Sequence, residues 1–199
     1  MTEHYEIWLI RHGQTEWTVT GQHTGRTDIP LTAAGRREAR CLGRRLAMRS
    51  FAMVLTSPLV RAQETSRLAG FGDSAEPTND LLEWDYGVYE GRTTPDIRVT
   101  EPAWSVWTHP IPQGESIDDV AERARRAIDR ALAASGHVAL FGHGHHLRIL
   151  AASWIGLPAN AGRLFALGPG SISVLGWERE RRVVRVWNFE PSLVLSQSP

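Results

Sequence analysis

Two short stretches concentrate residues able to act on an anionic substrate. One is Arg11-His12-Gly13, and the other is His143-Gly144-His145-His146-Leu147-Arg148. Each directly follows an apolar run, Tyr5–Ile10 in the first case and Val138–Gly142 in the second. Imidazole can serve as a nucleophile, guanidinium offers a forked donor to phosphate oxygens, and glycine lets the backbone come close to a bound anion. Taken alone, the first stretch reads as a loop histidine beside a solvated arginine. Shared chemistry requires the two apolar runs to be neighbouring parallel strands, because open α/β sheets gather their reactive groups beyond the carboxyl ends of strands.

Two further residues fit such a site. Phe51–Thr56 reads as another buried strand, ends in Ser57-Pro58, and leads into a helix with Arg61 near its start. A helix N-terminus presents free N–H groups and a positive dipole end, which Arg61 would reinforce. Glu83 lies in Leu81-Leu82-Glu83-Trp84-Asp85-Tyr86-Gly87. Apolar neighbours raise a carboxyl pKa and suit a proton donor near neutrality. The Gly- and Thr-rich loop 18–30 offers amides and hydroxyls for an oxyanion rim.

The supporting elements are legible from periodicity and caps. Thr32 is an N-cap for a helix to about Arg49, with Ala39, Leu42 and Leu46 inward and Arg36, Arg37, Arg40 and Arg44 on a solvated face. Ser116 and Asp119 form a capping box that opens an amphipathic helix of about five turns, with Val120, Ala124, Ala127, Ile128, Ala131 and Leu132 on its apolar stripe. A helix from His143 to about Ile155 and a hairpin around Glu178-Arg179-Glu180 complete the set. Residues 91–115 read as a cap- or lid-like insertion, with Trp104 and Trp107 on one helical face. Residues 190–199 read as a loose tail. These features make residues 1–199 a single domain.

The formal net charge is zero, which argues against a nucleic-acid partner. All 22 basic residues are Arg, so chemistry that needs a lysine, such as a Schiff base or a P-loop, is excluded. The single cysteine, Cys41, excludes an intramolecular disulfide, and its place in a helix pattern suggests a buried filler. Neither a signal peptide nor a membrane-spanning stretch is evident, and a cytoplasmic protein is expected. A homodimer is compatible with the reading.

In order and spacing, Arg11-His12-Gly13, Thr24-Gly25, Ser57-Pro58-x-x-Arg61, Glu83 and His143-Gly144 resemble the histidine phosphatase superfamily, which includes the cofactor-dependent phosphoglycerate mutases. The fuller stretches, from Arg11 to Trp17, Gly21 to Thr32, Glu83 to Gly87 and His143 to Arg148, are most similar to small acid phosphatases and sedoheptulose-1,7-bisphosphatase. The resemblance implies a three-layer α/β/α sandwich with a mostly parallel central sheet. It also implies that His12 takes the phosphoryl group, that Arg11, Arg61 and His143 hold its oxygens, and that Glu83 protonates the leaving oxygen. Gly13, Thr18, Thr24, Gly25, Tyr86, Gly144, His145 and Arg148 would surround the substrate. Neighbouring cations would depress the His12 pKa, and a carbonyl on its other nitrogen would fix the tautomer.

The expected activity is metal-independent hydrolysis of a small phosphorylated metabolite, a sugar phosphate or bisphosphate, with no cofactor. Two positions depart from the mutases: Thr18 replaces an Asn that touches phosphate, and Gln14 stands where many relatives have Glu. The segment from Glu83 to His143 is shorter than in insertion-bearing mutases, which favours hydrolysis over phosphoryl return. The alternatives are a phosphoglycerate mutase, a metallohydrolase on His143, His145 and His146, and a non-catalytic phospho-ligand module. His145 and His146 read as rim or substrate contacts.

Overall fold

The structure is a computed structural model that describes residues 4–191. The segment 192–199, most of the expected loose tail, lies outside the described residues. Six strands form one sheet in the order β3-β2-β4-β1-β5-β6. The strands are β1 Ile7–Arg11, β2 Met53–Thr56, β3 Ala75–Pro77, β4 Val138–Gly142, β5 Ile172–Glu178 and β6 Arg181–Phe189. The first four are mutually parallel, and β5 and β6 run antiparallel as a hairpin on the β1 side. Strand β3 carried no signal in the sequence. It is three residues long and ends in Pro77, which only a sheet edge tolerates.

Alternate residues of each strand face opposite layers. Ile7, Leu9, Leu55, Leu140 and Leu175 pack with residues of α5 (Ile117–Leu132) and α6 (Gly144–Trp154). Trp8, Ile10, Val54, Phe141 and Ile172 pack with Leu42 and Leu46 of α2 (Ala33–Leu46). The result is a sheet with helices on both faces, as implied by the sequence resemblance. Each fully buried leucine in these layers contributes about 1.5–3 kcal/mol.

Thr32 caps α2 by accepting from Gly35 N, and Ser116 and Asp119 form the reciprocal capping box of α5. Three expectations fail. Trp104 and Trp107 share no helical face: the short helix α4 (Thr94–Thr100) stops before Pro102, and both tryptophans lie in turns. Leu132 ends α5 on the solvent side, 40 % exposed. Cys41 is half-buried and receives an Arg44 N–H on Sγ at 3.0 Å, so it is not a sealed filler.

No helix among the described residues is long and apolar enough to cross a membrane. Gly13 has a structural reason distinct from anion approach. A Cβ there would lie 2.4 Å from the carbonyl oxygen of Gly35, so this glycine lets the end of β1 pack on α2.

Candidate active site

Strands β1 and β4 are paired with Arg11 opposite Gly142, so the residues that follow them, His12 and His143, leave the sheet side by side. Their ring centroids are 5.1 Å apart. His12 is buried, and its Nδ1 lies 2.8 Å from its neighbour's carbonyl, Gly13 O. A carbonyl can only accept, so Nδ1 carries the proton and Nε2 keeps the lone pair. Burial, then Arg61 and Arg11, hold the His12 pKa well below the ordinary imidazole value. The ring is therefore neutral and nucleophilic at Nε2 near pH 7.

Arg61, near the start of α3 (Val60–Ser66), is fully buried. Its Nε donates to His143 Nδ1 at 3.1 Å, and its Nη atoms donate to the carbonyls of Thr24, Gly25 and Thr27. Because Nδ1 of His143 accepts from Arg61, Nε2 carries the proton and donates to Ser57 Oγ at 2.7 Å. Both side chains thus form the sealed floor of the site. Arg11 lines the cleft itself, with one Nη1 bond to Leu167 O and an unpartnered Nε. A Cβ on Gly144 would sit 3.2 Å from the Arg11 guanidinium carbon, so Gly144 leaves room for it.

Glu83 differs from the apolar setting expected of it. Its Oε1 accepts from Trp84 N and His146 N, and its Oε2 accepts from His145 N, all within 3.0 Å. The carboxylate caps the positive N-terminus of α6 as well as lining the cleft. Its segment is clamped from behind by Arg123, which donates to Leu82 O at 2.9 Å and makes a two-pronged ion pair with Glu115. Glu115 in turn accepts from Asp85 N at 3.0 Å. The sequence held a signal for Arg123: it interrupts the Val120, Ala124, Ala127 stripe with a charge that must find a buried partner.

The amides of Gly25, Arg26 and Thr27 are not free for a ligand. Gly25 N, Arg26 N, Thr27 N and Thr27 Oγ1 all donate to the carboxylate of Glu90, an acid the sequence did not single out. Thr18 lines the cleft, but its hydroxyl donates to Thr15 O at 2.8 Å within the cap of α1 (Glu16–Thr20). Gly13 N likewise donates to Thr65 Oγ1. These residues shape the site through folding contacts rather than free donors.

The opposite wall of the cleft, which encloses about 180 Å³, carries Tyr86, His145 and Arg148. Tyr86 Oη is 2.6 Å from His145 Nδ1, and the Arg148 guanidinium stacks 4.6 Å over Trp107. His23, packed on Tyr86 at 4.8 Å, and Leu167 also line the cleft and gave no sequence signal. His146 is not a rim residue: it is fully buried, and neither ring nitrogen has a partner. Among the described residues no three His, Cys, Asp or Glu side chains are grouped to hold a metal ion.

Five neutral imidazoles make the fold acid-sensitive. His12, His143, His145 and His146 titrate well below the ordinary value, chiefly through burial, and burial brings His23 to about 4. Below about pH 6.5 the unfolded chain binds protons on these rings that the folded chain refuses. Stability is therefore complete above that pH and falls on acidification. Urea midpoints should drop steeply between about pH 6.5 and 5, and a flat profile would contradict the neutral assignment.

The chain belongs to the histidine phosphatase superfamily (branch 1), whose family model matches residues 7–190. It is 41 % identical over 186 residues to a Mycobacterium tuberculosis acid phosphatase, covering 92 % of this chain and 91 % of that protein. It is 33 % identical over 181 residues to the sedoheptulose 1,7-bisphosphatase of Saccharomyces cerevisiae, covering 75 % and 67 %. A Proteus mirabilis protein named "probable phosphoglycerate mutase" is 32 % identical over 195 residues, covering 93 % and 91 %. Among solved structures, one from Mycobacterium tuberculosis superposes with a TM-score of 0.89 at 40 % identity, covering 94 % of this chain and 98 % of that one.

Proposed function

We propose that the chain is a cytoplasmic phosphatase that hydrolyses a small phosphorylated metabolite, a sugar phosphate or bisphosphate, through a phosphohistidine and without a metal. The observation that carries the reading is the His12 tautomer. Nε2 keeps its lone pair in a cleft that Arg11 and Glu83 also line. Nε2 attacks phosphorus and the ester P–O bond breaks, while protonated Glu83 gives its proton to the leaving oxygen. Water then attacks the phosphohistidine and loses a proton to Glu83, and the P–N bond breaks to release phosphate.

Phosphoryl transfer asks mainly for placement and charge compensation. Arg11 supplies a fork at the cleft, and Arg61 adds a second fixed charge beneath it. The small cleft suits a metabolite rather than a macromolecule.

Phosphate release from a panel of phosphomonoesters, assayed before and after exhaustive EDTA treatment, tests the reading. Release that survives chelation supports it, and loss that is restored by a divalent cation sinks metal independence. Interconversion of 3- and 2-phosphoglycerate without release would assign a mutase instead. Binding without turnover would leave a ligand-binding module.

A further inference from the structure

One contact in the cleft is left over from the catalytic steps. Tyr86 is buried, 1 % exposed, and its hydroxyl meets His145 Nδ1 at 2.6 Å. Only one of these two atoms can donate. A proton on Nδ1 would leave the phenol proton buried without an acceptor, whereas donation by Tyr86 satisfies both groups. Charge states agree with donation by Tyr86. Burial, with Glu83 and Glu90 nearby, holds the phenol pKa well above its ordinary value, so it remains a donor. Burial, Arg148, His23 and Arg11 keep His145 neutral, so one of its nitrogens must accept.

The other nitrogen, Nε2, then carries the proton. It has no protein partner among the described hydrogen bonds, yet it is not sealed off as both ring nitrogens of His146 are. The ring lines the cleft, and Trp107 fixes its tilt from 5.0 Å away. The backbone N–H of the same residue holds Glu83 Oε2. His145 therefore ties the proton donor for the leaving oxygen to a free ring N–H one residue's width away.

Resting on the hydrolase reading above, we propose that Tyr86 is a specificity-determining positioning residue. It fixes His145 as the Nε2–H tautomer and aims that neutral donor at a hydroxyl on the leaving group, next to the esterified carbon. The favoured substrates are phosphomonoesters of polyols. A neutral N–H discriminates by presence or absence of an acceptor, because a ligand lacking the hydroxyl leaves the donor unpaired.

Glycerol 3-phosphate and n-propyl phosphate differ by such hydroxyls at equal chain length. The wild-type enzyme should favour the glycerol ester in kcat/KM by about tenfold or more. Tyr86→Phe should lower that ratio in proportion to the Nε2–H form lost, and ¹⁵N NMR should show the His145 ring changing from the Nε2–H tautomer to a mixture. His145→Phe removes the donor outright and should abolish the preference. Equal rates on both esters in the wild type, or a preference kept in Tyr86→Phe with the tautomer unchanged, overturns the proposal and leaves hydrolysis standing. Release from neither ester, nor from any other phosphomonoester, overturns the hydrolase reading with it.

Discussion

Replacing His12 by alanine is expected to lower kcat by about 10⁴-fold or more while the protein stays folded. A covalent nucleophile has no partial substitute when its neighbours are already committed. His143 is the nearest imidazole, but its Nδ1 accepts from Arg61 and its Nε2 donates to Ser57, so it has no lone pair to offer. The imidazole of His12 bonds only to the adjacent Gly13 carbonyl, so its loss frees no distant element. Circular dichroism should retain the wild-type helix content. Turnover within tenfold of wild type would remove His12 from the role of nucleophile.

Glu83→Gln is expected to slow hydrolysis of alkyl phosphates by about 10²–10⁴-fold, the range of a positioned general acid. The size of the loss should follow the leaving group. p-Nitrophenolate departs without a proton, so p-nitrophenyl phosphate should lose far less in the first step than an alkyl ester does. The variant also tests the second role of this side chain. Glu83 oxygens accept from the amides of Trp84, His145 and His146, and the glutamine amide has only one oxygen with which to do so. Either His145 N alone or Trp84 N and His146 N together would go unpaired, at a cost of about 1–3 kcal/mol each. A lower unfolding midpoint together with leaving-group-dependent rates would confirm both roles. Equal losses on both ester types would leave only the structural one.

The sequence disclosed what local chemistry dictates. Strand-His-Gly-helix units at 12 and 143 announced a shared sheet end, and the caps at Thr32 and Ser116 marked two helix starts to the residue. It concealed what depends on distant segments meeting. Glu90 occupies the amides of 25–27 across a long stretch of chain, so the Gly-Thr loop looked like a free anion rim when it is already filled. Glu83 sat among apolar neighbours in sequence, whereas its environment is set by the docking of α6. His23 and Leu167 enter the cleft only because their loops fold over it. Trp104 and Trp107 had helical spacing but followed Pro102, a breaker that outweighs periodicity.

The central claim is a phosphoryl group carried on His12 Nε2. The direct measurement is a rapid quench of the enzyme during turnover of a phosphate-labelled ester, using denaturant at alkaline pH because phosphohistidine is lost in acid. The account predicts label in the peptide bearing His12, stable in base, released by acid and absent from His12→Ala. Steady turnover with no labelled protein at any quench time, or label on another residue, would contradict it.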